Sequence, residues 1–273
     1  MATSDPFGTT DTLDEATLQA IATRLEARGQ HPLFTQMLQE YLDAMPIDAA
    51  GTVLDMGCGT GLAARAMARR PGFRGHVTGV DLSPYLVEAA TRLAADEGLG
   101  SRAGFQVGDT RKLALADQSF DAVVAHTLVS HVEQPLAVVR EAARLVKRGG
   151  VVAIFDGDYA SMTFGHADAD AGKRYDEALI RAIVASPRVM RQMPRLLRGS
   201  GLELVATFPH MLAEIGRADF WLSGIQAFRV LIVKAGVMGK EEVDAWADTL
   251  IRDSDEGVFF GACNYYSFVA RRP

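Results

Sequence analysis

The sequence has few cysteines, no long apolar run and no recognisable export signal. Only two of its 273 residues are cysteine, Cys58 and Cys263, which excludes a disulfide framework or a cysteine-rich metal site and indicates a reducing compartment. No stretch reaches about 18 uninterrupted apolar residues, the length of a membrane-spanning helix. The N-terminal "MATSDPFGTTD" lacks the basic and apolar segments of a secretory signal. We therefore expect a cytoplasmic protein that does not act at a membrane.

Basic residues are fewer than acidic residues. The chain carries 28 Lys and Arg against 34 Asp and Glu, a formal net charge of -6. This balance argues against an extended nucleic-acid surface or an anionic membrane as the main partner. We expect a small-molecule partner, no nucleic acid and no membrane; the oligomeric state is left open.

From Val53 onward, short apolar runs alternate with helical patterns, which is typical of a parallel sheet covered on both faces. Five such runs occur by residue 155, a sixth covers 202–208, and a seventh lies near the chain end. Flanking segments predict helices, the first over 12–28 with a capping box formed by Thr12 and Glu15. The resulting division is a disordered N-terminus at 1–10, N-terminal cap helices at 11–48, a core at 49–208 with a helical insertion at about 157–186, a helical cap insertion at 209–257, and the last core strand at 258–273.

The inserted helices are too long to be a structureless loop. Loops over sheets of this kind usually carry function, so we interpret the helices as a cap over one edge of the sheet. The alternative is that they only lengthen the core.

The stretch "VLDMGCGTG" has glycines at 57, 59 and 61. Glycine is needed where a strand turns sharply into a helix and where a ligand contacts the backbone. The dinucleotide fingerprint would require a further glycine where Leu62 stands. Instead Asp55 precedes the glycines, and Asp81 ends the next strand in "VTGVDLSP". One acid can accept from ribose hydroxyls and the other can face a cation, which predicts a nucleoside ligand carrying an ammonium or sulfonium group.

Four stretches together resemble the class I methyltransferases that use S-adenosylmethionine, in the subgroup of quinone and small-molecule methyltransferases. They are "VLDMGCGTG", "VTGVDLSP", "FQVGDTRKLALADQSFDAVVAHTLVSHVEQP" and "LVKRGGVVAIFD", in the order and spacing of that family. The resemblance implies an α/β fold: a Rossmann-like, seven-stranded, mostly parallel sheet with helices on both faces, to which this chain adds the helical cap. It also implies methyl transfer from S-adenosylmethionine.

The resemblance further implies cofactor contacts for particular residues. The glycine loop would pass under the methionine part, Asp81 would bind the ribose, and the segment "GDTRKL" would meet the adenine. His31 would reach the cofactor if the N-terminal helices close over it. The cofactor-binding residues expected on this basis are His31, Asp55, Gly57, Cys58, Gly59, Asp81, Leu82, Asp109, Thr110 and His126.

Methyl transfer from a sulfonium needs a dry, oriented pocket and, for some acceptors, a base at the carboxyl ends of the strands. We name His131, Asp158 and Tyr159 as candidate catalytic residues. His131 matches a histidine common in the family, although such a histidine can also serve only to orient its loop. Asp158 and Tyr159 follow the fifth strand in "FDGDY", where Asp156 belongs equally well to an ordinary turn.

No metal is expected. Metal-dependent catechol enzymes of this fold use carboxylates and an asparagine after the fifth strand, whereas the single asparagine here is Asn264. The leading hypothesis is methyl transfer to a small organic acceptor in a capped pocket. The alternatives are a non-catalytic, cofactor-binding regulator and a methyltransferase acting on RNA or protein. The acceptor and the atom that is methylated stay open.

Overall fold

A computed structural model describes residues 5–273 and contains one seven-stranded sheet within them. The strands are β1 (Thr52–Met56), β2 (His76–Asp81), β3 (Ala103–Val107), β4 (Phe120–His126), β5 (Val146–Phe164), β6 (Glu203–Gly216) and β7 (Phe259–Arg271).

The helices surround the sheet, and a helix connects each consecutive pair of the first five strands except β3 and β4. They are α1 (Glu15–Gln30), α2 (Pro32–Asp43), α3 (Leu62–Arg69), α4 (Pro84–Asp96), α5 (Pro135–Leu145), α6 (Ala169–Ile183), α7 (Val189–Gly199), α8 (Phe220–Lys234) and α9 (Lys240–Asp255). None of the described helices is both long enough and apolar enough to cross a membrane.

The strand order is β3-β2-β1-β4-β5-β7-β6. The first five strands are parallel, and β7 runs antiparallel between β5 and β6. The order reverses between β1 and β4, and ligands of open α/β sheets bind at the carboxyl ends of the strands at such a point. The predicted Rossmann-like, mostly parallel sheet is therefore confirmed, and its topology places the site beyond Met56 and His126.

Two apolar clusters cover the two faces of the sheet. One includes residues of α2, α3, α8 and α9, and the other includes residues of α5 and α7. Trp221 on α8 and Trp246 on α9 are each 2% exposed. The two helices inserted between β6 and β7, α8 and α9, thus contribute to the core of the protein.

The structure differs from the sequence-based boundaries in four places. β5 continues to Phe164, so the segment expected to begin a helical insertion at 157 is strand, and β6 continues through Pro209 to Gly216. The N-cap of α1 is Asp14, which accepts from the Thr17 N–H at 2.9 Å, in place of the capping box predicted for Thr12 and Glu15. The expected disorder at 1–10 does not extend over 5–10, where Asp5 is 1% exposed; residues 1–4 lie outside the described residues.

Candidate functional site

The glycine loop joins β1 to α3 at the reversal of strand order. Gly57 and Gly59 have φ of 68° and 53°, a left-handed conformation that side chains other than glycine rarely adopt. The N–H groups of Gly57 and Cys58 donate to Val80 O at 2.8 and 3.0 Å. A β-carbon on Gly57 would lie 2.6 Å from Leu128 Cδ1, so glycine is also required there by the close approach of the next loop.

Two buried aspartates flank this loop. Asp81 accepts from the Gly59 N–H at 2.8 Å and from the Ser83 N–H at 3.0 Å, which fixes its carboxylate at the end of β2. Asp55 accepts from the Ala64 N–H through Oδ2 at 3.0 Å. Its other oxygen, Oδ1, is buried and has no hydrogen-bond partner among the described residues. Burial, with help from the Asp81 charge, raises the pKa of Asp55 to about 7, although the Ala64 N–H opposes the shift.

A cavity of about 80 Å³ lies against the loop and both aspartates. It brings together six of the predicted cofactor-binding residues: Asp55, Gly57, Cys58, Gly59, Asp81 and His126. On the opposite side the lining comes from the N-terminal part of the chain, where Phe7, Leu25 and Arg28 close the cavity. We call this space the cradle cavity.

His126, at the end of β4, is held as a neutral ring. Its Nδ1 lies 3.0 Å from the Tyr41 hydroxyl, and the ring stacks on Phe155 at 4.6 Å between centroids. Burial, with the nearby charge of Arg28, lowers the pKa of His126 to about 3. His126 therefore contributes shape and a nitrogen atom to the cavity but no charge near neutral pH.

His131 pairs with an aspartate from the far N-terminus. Its Nδ1 lies 3.1 Å from Asp5 Oδ2, and the same oxygen accepts from the Ala185 N–H at 3.0 Å. Burial favours the neutral ring, but the Asp5 and Asp156 carboxylates outweigh burial and raise the pKa of His131. This pair has the arrangement of an imidazole whose tautomer and orientation are fixed by a carboxylate.

Asp156 holds the loop that carries His131. Its carboxylate accepts from the Ser130 N–H and the Ser130 hydroxyl, both at 2.9 Å, and from the Gly157 N–H at 2.8 Å. These hydrogen bonds join the end of β5 to the loop at Ser130, which indicates a structural role.

A second cavity, of about 60 Å³, adjoins the first, and we call it the aromatic chamber. The two spaces share Phe7, Arg28 and His131. The remaining lining of the chamber is mostly aromatic and aliphatic: Arg24, Tyr159, Met162, Ile183, Phe220, Trp221, Ala227, Phe228, Leu231 and Tyr265. Two of the three candidate catalytic residues, His131 and Tyr159, thus meet at one place, with ring centroids 5.8 Å apart.

Asp158 does not line the aromatic chamber. Successive side chains of a strand point to opposite faces, and Asp158 pairs with Arg191 Nε of α7 at 2.8 Å while Tyr159 lines the chamber. Asp158 was expected to follow the fifth strand, but it lies within β5. The geometry therefore gives no support to a catalytic role for Asp158.

Four predicted cofactor-binding residues do not line the cradle cavity. His31 packs against Phe220 at 5.2 Å between ring centroids and lines a separate outer cleft. Asp109 is engaged by Arg111, with 2.7 Å between Oδ2 and Nη2. Thr110 follows Asp109, and Leu82 follows Asp81. The Gly108 N–H donates to Asp81 O at 2.9 Å, so the Asp109 loop begins beside the cradle and its assignment to adenine stays a prediction.

A larger groove, of about 640 Å³, lies between the end of β5 and α6 and contains none of the predicted site residues. Its size does not make it the site, because the glycine loop and the shared cavities lie elsewhere. Within residues 5–273, no three His, Cys, Asp or Glu side chains converge in a way that could hold a metal ion.

Sequence reasoning missed three residues of the site in the N-terminal part of the chain: Asp5, Arg24 and Arg28. Asp5 falls in the segment expected to be disordered, and no local pattern marks it. Arg24 and Arg28 did carry a signal, because they follow Ile21 by three and seven residues and so lie on the same face of α1 as its apolar stripe.

Comparison with known proteins places residues 54–154 in a family described as a methyltransferase domain. Among curated proteins, the chain is 29% identical over 256 residues to an uncharacterized 37.1 kDa protein in transposon Tn4556 of Streptomyces fradiae, which covers 93% of this chain and 70% of that protein. It is 39% identical over 113 residues to a ubiquinone biosynthesis O-methyltransferase of Xanthomonas axonopodis pv. citri strain 306, covering 41% and 45% of the two chains.

Among solved structures, that of a geranyl diphosphate methyltransferase in complex with S-adenosylmethionine has a TM-score of 0.55. The two chains are 18% identical, and the match covers 96% of this chain and 93% of that one. This likeness shows the fold. The chain spans less than half the length of most of the curated relatives it matches, and those matches cover 38% to 48% of this chain.

Proposed function

We propose that this chain, which matches a family described as a methyltransferase domain over residues 54–154, transfers a methyl group from S-adenosylmethionine to a small organic acceptor in the aromatic chamber. The main support for this proposal is that the cradle cavity adjoins the aromatic chamber. The cradle cavity and the aromatic chamber share Phe7, Arg28 and His131, so a group held in one can meet a group held in the other.

The residues of the cradle fit the cofactor. Asp55 Oδ1 is a buried acceptor without a partner, which suits the ammonium group of the methionine part. Asp81 lies 2.8 Å from the Gly59 N–H, at the end of β2, and its carboxylate suits the two ribose hydroxyls. When bound, the cofactor supplies an electrophilic methyl group on a positively charged sulfur.

The protein's own contribution would be orientation and exclusion of water. In-line displacement at a sulfonium is accelerated mainly by correct placement in a dry pocket. Phe7, α1 and α8 enclose the chamber on the side away from the sheet. An acceptor that must enter an enclosed space is small, which argues against RNA or protein as the substrate.

His131 is positioned to accept a proton from the acceptor if the reaction requires it. Its Nδ1 faces Asp5, which leaves Nε2 as the nitrogen available to an acceptor. A base must be neutral before it accepts a proton, so this role requires a pH above the raised pKa of His131. Tyr159, whose pKa burial raises, would stay protonated and could donate a hydrogen bond.

We place the reaction in the cytoplasm, since both cysteines are buried free thiols and oxidising compartments favour disulfides. A regulator that binds the cofactor without using it remains the second hypothesis. The shared lining of the two cavities favours the enzyme, because a regulator has no need of a chamber beside the cradle.

Two measurements test the proposal. Calorimetry should detect binding of S-adenosylmethionine and of its demethylated product without added metal; a requirement for a divalent ion would contradict it. Incubation with cell extract and cofactor labelled in the methyl group should then place the label in the small-molecule fraction. Label in RNA or protein would contradict the small acceptor, and binding without any transfer would support the regulator.

A further inference from the structure

Two arginines at the aromatic chamber have no anionic partner. Arg24 donates to Ser223 Oγ at 3.2 Å, and Arg28 donates to Thr127 Oγ1 at 2.8 Å. Neither forms an ion pair with a carboxylate of residues 5–273, and residues 1–4 contain no acidic side chain. Asp219 shares an outer cleft with Arg24 but is solvent-exposed and makes no ion pair with it.

Both guanidinium groups are held in apolar surroundings. Arg24 lies 5.9 Å from the ring centroids of Phe220 and Phe228, and Arg28 lies 5.5 Å from that of Phe34. No acidic side chain lines the chamber. The aromatic faces attract the cations but do not replace the hydrogen bonds that each guanidinium can make to a carboxylate or phosphate.

This arrangement is unfavourable without a negative charge. Burial, and then repulsion from Arg28, lowers the pKa of Arg24. Elsewhere in the chain, the buried Arg65 is paired with Glu26 and Glu97, and the half-buried Arg144 is paired with Glu141 and Asp117. A charge that is kept partly buried and unpaired needs a compensating ligand.

We propose that Arg24 binds a negatively charged group of the acceptor, so that the acceptor is a small organic anion with an apolar body. This assignment rests on the function proposed above. The negative group is a carboxylate or a phosphate, since both match the planar fork of a guanidinium. The aromatic walls hold the apolar body between Arg24 and His131.

The route into the chamber agrees with such a molecule. A surface groove of about 370 Å³ runs between α1 and α8 and is lined mainly by apolar side chains, among them Ile21 and Val230. Phe7 and Arg24 line both this groove and the chamber. An acceptor that enters along the groove therefore passes Arg24 before it reaches His131.

Arg24 is the residue to test, because Arg28 also lines the cradle cavity whereas Arg24 does not. The probes are phenylacetate, its methyl ester and phenyl phosphate, which present the same ring with a carboxylate, no charge and a phosphate. Binding is measured by calorimetry on the full chain saturated with the demethylated cofactor product. The wild-type protein should bind at least one of the two anions more tightly than the ester.

The variants are Arg24→Gln, Arg24→Lys and, as a matched control, Arg195→Gln on the exposed face of α7. Loss of a charge-assisted contact predicts anion binding about 10- to 100-fold weaker in Arg24→Gln, with partial recovery in Arg24→Lys and no change in Arg195→Gln. Binding of the ester should stay the same in all four proteins. Whichever anion loses more affinity identifies the chemical group.

Cofactor binding separates this inference from the proposed function. If Arg24→Gln still binds the demethylated product with wild-type affinity, the variant is folded and its anion binding is informative. Equal binding of anion and ester by the wild type, or unchanged anion binding in Arg24→Gln, would overturn the inference while leaving methyl transfer intact. Failure of the wild type to bind the cofactor product would instead overturn the proposed function.

Discussion

Asp81 and Asp121 each accept two backbone N–H hydrogen bonds, Asp81 at the carboxyl end of β2 and Asp121 near the amino end of β4, where it also pairs with Lys147. Asp81 accepts from the Gly59 and Ser83 N–H groups, and Asp121 accepts from the Gly51 and Thr52 N–H groups, each at 2.8 to 3.0 Å. Only Asp81 lines the cradle cavity. Comparing substitutions at these two positions therefore distinguishes a contribution to cofactor binding from a contribution to folding.

Replacing Asp81 with alanine should weaken binding of the demethylated cofactor product by about 10- to 100-fold, because charge-assisted hydrogen bonds to the ribose are lost. Asp121→Ala should lower the melting temperature and leave the affinity of the folded protein unchanged. Calorimetry on both variants measures the affinity, and thermal melting measures the stability. Equal affinities in the Asp81 variant and the wild type would show that the ribose lies elsewhere.

The contact between Asp5 and His131 makes docking of the N-terminal segment depend on pH. The folded-state pKa of His131 is raised, and its ordinary value is about 6.5. The stabilisation is therefore complete below that value and is lost as the pH rises through the higher folded-state pKa. The groups facing the ring are Asp5, Asp156, Arg28 and Tyr159. Two of them, Asp5 and Asp156, raise the pKa of His131. Asp5 is the one to replace, because Asp156 also holds the loop at Ser130.

Exchange of Asp5 for asparagine removes the charge nearest His131 and leaves burial, which lowers a histidine pKa, less opposed. We expect the pKa of His131 in Asp5→Asn to fall below the wild-type value. Nuclear magnetic resonance titration of the His131 ring protons measures it directly, with His76 on β2 as an internal reference. An unchanged His131 pKa would mean that the Asp156 charge alone determines it.

The sequence predicted best the placement of residues that a short stretch of chain defines. Gly57 and Asp81 belong to a turn and a strand end, and both line the cradle cavity as expected; their contacts with the cofactor stay a prediction. The pairing of Asp5 with His131 joins residues 126 positions apart, and nothing in either local sequence specifies it. Arg24 is recognisable as unusual only once the absence of a carboxylate beside it is known.

Helix α1 covers the cradle cavity on the side opposite the glycine loop, through Leu25 and Arg28. A β-carbon on Gly59 would lie 3.0 Å from Leu25 Cδ1, and the cradle cavity of about 80 Å³ is well below the roughly 300 Å³ at which small-molecule sites begin. Phe7 and residues of α1 also line the aromatic chamber of about 60 Å³, so we expect α1 and the segment around Phe7 to move outward when the cofactor and the acceptor enter. Binding that needs such a step is slower than diffusion allows.

Replacing Leu25 with alanine should raise the association rate constant of the cofactor product by removing the side chain that covers Gly59. Leu18→Ala, a truncation of another leucine on the same helix, controls for general loosening of α1. Stopped-flow binding experiments give both rate constants. A rate in Leu25→Ala no higher than in Leu18→Ala would contradict gating by this side chain.

The strands were located correctly by their apolar runs, but two ended too early in the prediction. β5 continues through Asp156 and Asp158, which resemble a turn in sequence; their carboxylates are satisfied by Ser130 and Arg191 from other elements, so the strand can include them. β6 continues through Pro209, which a strand tolerates at the edge of a sheet where one side of the backbone has no neighbour. In both places tertiary contacts override the local signal.

At the scale of the whole molecule, β7 joins two parts of the sheet that do not otherwise touch. It pairs with β5 from Val151 to Phe164 and with β6 along nearly its full length, from Glu203 to Gly216. A chain shortened to end at residue 258 should therefore leave β6 without a partner and β5 paired only with β4, and should accumulate as aggregates. A soluble monomer with the wild-type far-ultraviolet circular dichroism would contradict this expectation.

The same strand order has a consequence for synthesis on the ribosome. β6 is complete at Gly216, yet its only neighbour begins at Phe259. At about 5 to 20 residues per second, translation leaves β6 without its partner for roughly 2 to 9 seconds, with the apolar side chains of Leu212 and Ile215 already made. Over that interval the nascent chain presents the open edge of β5 and an unpaired β6, and this is the period in which a chaperone at the tunnel exit would be of most use to it.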